Sequence, residues 1–324
     1  MGGTPAVDAG RVFAQEGFNV IGMDAASGSR LWTRRVRVAA VPPPTTLLAG
    51  EGRVFVSETD SIMALDASSG ATIWSVHPDS QTVTVPALDS DALYTGQRGI
   101  PVVYAVGRTG GTVKWKVNVG GGYQFPAHVR GVAVSGDTVY ATVERYLNSN
   151  GGTSSGVIVA LERQTGREFW RYETPSGKHF FQDAPAPSSG LVMASDFGVG
   201  DLIAVSTTTR QEVWRVPAGG STRILVSGGR VLTAGFDHHA YAFDLATGKV
   251  LWSEDTGGSA YGLGRCGGSV FVSAGVLRRY DVSSGQLTGE AGVAVSDGAF
   301  VTNPVSDGTR VYLSGSGGMY AFQC

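Results

Sequence analysis

Apolar and polar residues alternate along this chain in short runs, with the period of two that a half-buried β-strand requires. Examples are Arg53-Val54-Phe55-Val56, Asp137-Thr138-Val139-Tyr140 and Arg310-Val311-Tyr312-Leu313. Each is preceded by a shorter run that often holds proline, as in Thr4-Pro5-Ala6-Val7, Val85-Pro86-Ala87-Leu88 and Asn303-Pro304-Val305. A third run then ends in an acidic residue, a turn and a tryptophan. The pattern predicts an all-β chain in which four strands, A to D, recur.

The recurrence is regular. Met23-Asp24-Ala25-Ala26-Ser27-Gly28-Ser29-Arg30-Leu31-Trp32 is followed by Leu65 to Trp74, Val106 to Trp115, Leu161 to Trp170, Val205 to Trp214 and Phe243 to Trp252 in the same frame, which accounts for all six tryptophans. A seventh copy, starting Tyr280-Asp281, carries Gly289 in the tryptophan slot, and an eighth, Met319 to Cys324, stops one residue past the acidic slot. The acidic slots fall at 24, 66, 107, 162, 206, 244, 281 and 323, with spacings of 42, 41, 55, 44, 38, 37 and 42, the length of one four-stranded propeller blade. We therefore expect a single eight-bladed β-propeller, with blades at about 4–36, 40–78, 83–119, 125–175, 184–217, 222–257, 261–289 and 300–324. Strand C of the last blade is expected over Gly318 to Phe322. No strand D follows it, so the eighth blade should have three strands and an open edge, completed in a longer parent by residues preceding Met1.

The signature itself reads as structural. An Asp at the turn accepts backbone amides, the Gly after Ser or Thr supplies a left-handed position, and Trp32, Trp74, Trp115, Trp170, Trp214 and Trp252 are expected to wedge between blades. This Asp-x-x-Ser/Thr-Gly-x-x-apolar-Trp frame resembles the pyrroloquinoline-quinone (PQQ)-like propeller repeat of quinoprotein alcohol dehydrogenases. It is equally similar to the outer-membrane assembly lipoprotein and to sensor propellers of bacterial kinases. The resemblance covers the whole chain and implies fold; one repeat serves enzymes, scaffolds and sensors.

Composition narrows the choice. A net charge of −2 offers no basic field for nucleic acid or an anionic membrane, and no apolar run is long enough to span a bilayer. Glycine runs such as Gly120-Gly121-Gly122 lack the strand-to-helix context of a phosphate loop. The resemblance implies PQQ as the possible cofactor, but the adjacent cysteine pair and the calcium-ligand set of the dehydrogenases have no counterpart here, so no cofactor is expected. Asp237-His238-His239 is no metal site either, because adjacent histidines on a strand face opposite ways.

The B–C and D–A connections vary most, and variable loops on a rigid scaffold carry function. The largest are in blade 4: Glu144 to Gly152, with Glu144-Arg145 read as a solvated pair, and the crossing from Lys178 through Phe181 to Asp183. Candidate ligand-binding residues are Tyr123, Gln124, Tyr146, His179, Phe180, Asp183, Asp196, Phe236 and His238, with Glu144, Asp183, His179 and His238 as acid/base candidates. The expected function is a ligand- or protein-binding module, a sensor or scaffold taking a small organic ligand or an extended peptide. The alternative is an enzyme of cyclase or lyase type. We expect a monomer, extracytoplasmic if excised from a longer protein and cytoplasmic if Met1 is the native start. Cys266 and Cys324 belong to consecutive blades and can approach, although an inner-strand position for one and a third-strand end for the other work against a bridge.

Overall fold

A computed structural model describes every residue except 1–2, 38–45, 59–60, 79–83, 98, 123, 150, 222, 292–301 and 316–317. Its strands form seven four-stranded sheets and one three-stranded sheet, each with its strands in chain order. This is an all-β, eight-bladed β-propeller whose last blade lacks the outer strand. The expected blade starts at 40, 83, 222 and 300, and Tyr123, lie outside the described residues. The chain clusters into two compact units, Met1–His77 with Ala234–Ala242 and Leu251–Cys324, and Pro78–Thr233 with Phe243–Val250.

Blade 1 shows the plan. Strands A to D are Ala6–Asp8, Arg11–Glu16, Asn19–Asp24 and Arg30–Arg35, all antiparallel. Strands B and C are buried along their middles, whereas strand D buries only its tryptophan. A row of three residues crosses the first four sheets at that point: Phe13–Gly22–Trp32, Phe55–Ala64–Trp74, Tyr94–Ala105–Trp115 and Tyr140–Ala160–Trp170. The small middle residue makes room for two rings whose centroids lie 5.9–6.1 Å apart. One residue further along strand C the register slips by a β-bulge, between Gly22 and Met23 and between Ala64 and Leu65, for example. The bulge bends the outer strand and aims the indole out of its own sheet.

The indole reaches the next blade. Trp32 Nε1 donates to the Ala67 carbonyl at 3.0 Å, Trp115 to Arg163 at 2.8 Å, Trp214 to Leu245 at 3.0 Å and Trp252 to Val282 at 3.0 Å. Each ring lies on the turn glycine of that blade. A Cβ at Gly70, Gly166, Gly248 or Gly285 would fall 2.6, 2.7, 2.8 or 2.7 Å from it. Those glycines also have φ of 70–77°, so both backbone conformation and close approach require glycine. The acidic slot holds the same turn: Asp66 Oδ1 accepts the amides of Ser68 and Ser69 at 3.0 and 2.9 Å. The Ser68 and Ser69 hydroxyls, with those amides, pull its carboxyl down to about 2.

Cys266 and Cys324 form a disulfide, with Cα atoms 5.6 Å apart. The strand positions are as expected; the inference against a bridge fails for a geometric reason. Cys266 ends strand A of blade 7 (Gly262–Cys266), and Cys324 follows strand C of blade 8 (Gly318–Gln323). Strand A of blade 8 is only Val305–Ser306, and the Cys324 amide donates to the Thr309 carbonyl in the adjoining turn. Both ends therefore lie at one edge, and the Ser306 hydroxyl sits 3.0 Å from the Cys266 sulfur.

Candidate functional site on blades 4 and 5

Three strands of blade 4, Ala127–Ser135, Thr138–Tyr146 and Ser154–Glu162, each have nine residues, against five or six in the B and C strands of the other blades. At roughly 3.3 Å per residue the excess lengthens the hairpin by about 10 Å. The segment expected as a loop from Glu144 to Gly152 is thus partly strand. Tyr146 pairs with Ser154, and only 147–153 form the connection, closed by a bond from the Leu147 amide to the Thr153 carbonyl. Tyr146 is half-buried and stands edge-on to His128, 5.4 Å between centroids. The Gly99 amide donates to His128 Nδ1 at 2.7 Å, which places that ring's proton on Nε2.

Glu144 and Arg145 are not paired with each other in solvent. On a strand they face opposite sides: Glu144 is buried and paired with Arg130, while Arg145 pairs with Glu173, whose carboxylate also accepts the Ser155 hydroxyl at 2.7 Å.

The crossing to blade 5 is stitched at both ends. The Gly177 carbonyl accepts the Ser154 amide, the Phe180 carbonyl accepts the Phe197 amide, and Phe181 bridges to Asp196. It fits because Gly198 has no side chain: a Cβ there would fall 1.5 Å from the Lys178 carbonyl oxygen. This tie sends Phe181 fully into the core and leaves Phe180 half-buried against Phe197, 5.5 Å between centroids.

Asp196 is a further correction. Expected on the rim, it is completely buried, with Oδ2 2.6 Å from His179 Nδ1 and 3.2 Å from Arg215 Nη1. Arg215 also bridges Asp201 at 3.1 Å and Glu212 at 2.8 Å, and the Tyr172 hydroxyl donates to Glu212 at 2.8 Å. Burial and the Glu212 carboxylate push the Tyr172 phenol up to about 12. His179 Nδ1–H is thereby committed to a carboxylate. Sequence reasoning missed Arg130, Arg215 and Glu212. The repeated Glu168-Phe169-Trp170-Arg171 and Glu212-Val213-Trp214-Arg215 was the available signal, since both pairs join across the bulge.

Asp183 differs from these paired carboxylates. Burial pushes its carboxyl up to about 6, against the opposing effects of the Ala184 amide and the Arg223 charge, and Thr142 donates to its carbonyl at 2.6 Å. Gln124 is exposed. Phe236 and His238 belong to the other compact unit. Phe236 stands edge-on to Tyr261 at 5.4 Å, and His238 is an exposed turn residue with φ +68° rather than a strand residue. Among the described residues no group of three His, Cys, Asp or Glu is placed to hold a metal ion, and no helix is long and apolar enough to cross a membrane.

Comparisons with known proteins follow the repeat. BamB from Moraxella catarrhalis is similar at 20% identity over 99% of this chain and 96% of that one, with a TM-score of 0.74. The computationally designed Ika8 protein is similar at 16% identity over 99% and 95%, with a TM-score of 0.76. Quinohemoprotein alcohol dehydrogenase from Comamonas testosteroni is similar at 15% identity over 98% of this chain and 71% of that one, with a TM-score of 0.70. Likenesses at such identity establish fold alone. A search of curated proteins finds no match. The family model described as outer membrane protein assembly factor BamB matches residues 19–178, 101–198 and 154–324, and the chain belongs to that family of PQQ-like β-propellers.

Proposed function

We propose that this chain is a protein-binding propeller module, a scaffold or sensor rather than an enzyme, which takes an extended peptide on the loops of blades 4 and 5. The observation that carries this reading is the lengthened blade 4 hairpin. It extends the sheet to Tyr146, and the crossing that follows sets Phe180 against Phe197, while Arg215 holds Asp196, Asp201 and Glu212. Half-exposed aromatic rings with paired polar groups around them suit recognition. Of the four acid/base candidates, Glu144 is held by Arg130 and His179 by Asp196, which favours binding over proton transfer at those two positions. The adjacent cysteine pair of the quinoprotein dehydrogenases has no counterpart in this disulfide, which joins consecutive blades. An extracytoplasmic location is supported by that disulfide, which needs an oxidising compartment to form.

The test is selection of a random peptide library against the whole chain, followed by affinity measurement. Tyr146→Ala and Phe180→Ala should each weaken the selected peptide about tenfold, roughly 1.4 kcal/mol. Selected peptides whose affinity neither substitution changes would refute the placement.

A further inference from the structure

Outer strands elsewhere in the chain neutralise their own cations, and that of blade 1 does not. In strand D of blade 4 (Glu168–Glu173) Arg171 bonds the Glu168 carboxylate at 2.5 Å, and in blade 5 (Glu212–Pro217) Arg215 bonds that of Glu212 at 2.8 Å. In blade 3 Lys114 pairs with Asp91 of the adjoining turn. The acid of blades 4 and 5 stands two residues before the tryptophan. In blade 1 that place holds Arg30, and Arg34, Arg35 and Arg37 follow. Without these four cations the net charge would fall from −2 to −6, so the strip is a local reversal of the chain's overall sign.

Arg30 reaches back to Glu16 at 2.9 Å. Arg34 leans on blade 2, where its Nη2 donates to Thr72 Oγ1 at 2.9 Å. Neither Arg34 nor Arg35 has a carboxylate partner among the described residues. The register puts Arg34 opposite Val20 and Arg35 opposite Asn19, so the two guanidinium groups leave opposite faces of the strand. Every residue of Arg30–Arg35 except Trp32 is exposed, and no described strand pairs with its outer edge. Leu31 is an exposed apolar residue between these cations, and Ile73, next to Thr72 on the uncharged strand D of blade 2 (Thr72–Val76), is another.

Charges on an edge strand discourage pairing with neutral or like-charged strands. Arginines left without carboxylates on both faces favour a strand of opposite charge instead, and the free main-chain groups are there to receive it. Exposed ion pairs are individually weak. Main-chain pairing therefore supplies the affinity, and the charges select the partner.

We propose that the outer edge of Arg30–Arg35 is a docking site for an extended acidic segment of a separate protein, added to the four strands of blade 1 as a fifth. The segment runs antiparallel, with adjacent carboxylates opposite Arg35 and Arg34 and apolar residues opposite Trp32 and Leu31. The inference does not depend on the reading of blades 4 and 5.

The experiment titrates the whole chain with a fluorescent peptide, Thr-Glu-Glu-Thr-Val-Val-Glu-Thr, written in that register. Saturable binding is expected. Arg34→Glu combined with Arg35→Glu should weaken it about tenfold or more, and an unaltered melting temperature confirms that this variant is folded, since both side chains are exposed. Lys249→Glu combined with Arg265→Glu makes the same change of charge at exposed positions elsewhere and should leave binding unchanged. Proline in place of both valines of the peptide keeps its charge but removes two main-chain donors, and should also weaken binding about tenfold or more. Absence of saturable binding, equal losses in the two double variants, or undiminished binding of the proline peptide overturns the proposal. So does displacement of the bound peptide by phosphatidylserine vesicles or by a single-stranded RNA, because a lipid surface or a nucleic acid would then be the better occupant.

Discussion

Replacing Trp252 with alanine should destabilise the protein far more than its outer-strand position suggests. Strand D of blade 6, Val250–Asp255, exposes Val250 and Leu251 but buries Trp252 to 7% exposure. Its indole donates to the Val282 carbonyl at 3.0 Å and covers Gly285, whose Cβ would lie 2.7 Å away. Truncating a buried tryptophan costs about 3–5 kcal/mol through lost transfer energy and the cavity left behind. The carbonyl left without its donor contributes roughly 1 kcal/mol of this cost. With an unfolding entropy of about 2.1 cal/mol/K per residue, a chain of this length loses about 1.5 °C per kcal/mol, so a drop of roughly 4–7 °C is expected. Trp252→Phe keeps most of the ring and should lose about a third of that. Leu251→Ala, one residue away and 44% exposed, should stay within about 0.5 kcal/mol. Calorimetry of the three variants decides. If Trp252→Ala melts with the parent, the interblade wedge is not what holds the repeat together.

Two further outcomes follow from other contacts. Thiol titration of the denatured, unreduced chain should find no reactive thiol, and reduction should cost up to about 4 kcal/mol for a loop spanning 58 residues; two reactive thiols would contradict the bridge. Asp183 has a folded pKa of about 6, above its ordinary 3.8, so its protonated form stabilises the fold below pH 4 and that contribution is lost as pH rises through 6. Asp183→Asn should flatten the decline in stability between those values, and an unchanged pH–stability curve in urea titrations would show that the carboxyl titrates normally.

The fold was legible because the repeat states it eight times. Asp24 and the left-handed Gly28 repeat the turn of Asp66 and Gly70, so recurrence averages out local ambiguity. The sheet register and the open eighth blade follow from the same spacing. The candidate surface was legible only as a region. Period-two alternation continues through Glu144-Arg145-Tyr146, but polar residues there resemble a loop, and their burial depends on Arg130 and Glu173 from other strands. Asp196 reads as a turn residue beside Phe197; its depth comes from a crossing that closes over it because Gly198 lets the Lys178 carbonyl approach. Such burial is set by pairing between segments distant in sequence. The disulfide shows the same limit: the strand assignments of both cysteines were right, and only the two-residue strand Val305–Ser306 explains their meeting.

The central claim is that blades 4 and 5 present a peptide-binding surface, and hydrogen-exchange mass spectrometry with a library-selected peptide tests it most directly. The account predicts slowed exchange in 146–154 and 177–183 on binding, with no change in the Asp-Gly turns at 66–70 and 244–248. Protection confined to those turns, with none in the blade 4 hairpin or the crossing that follows it, would contradict the claim.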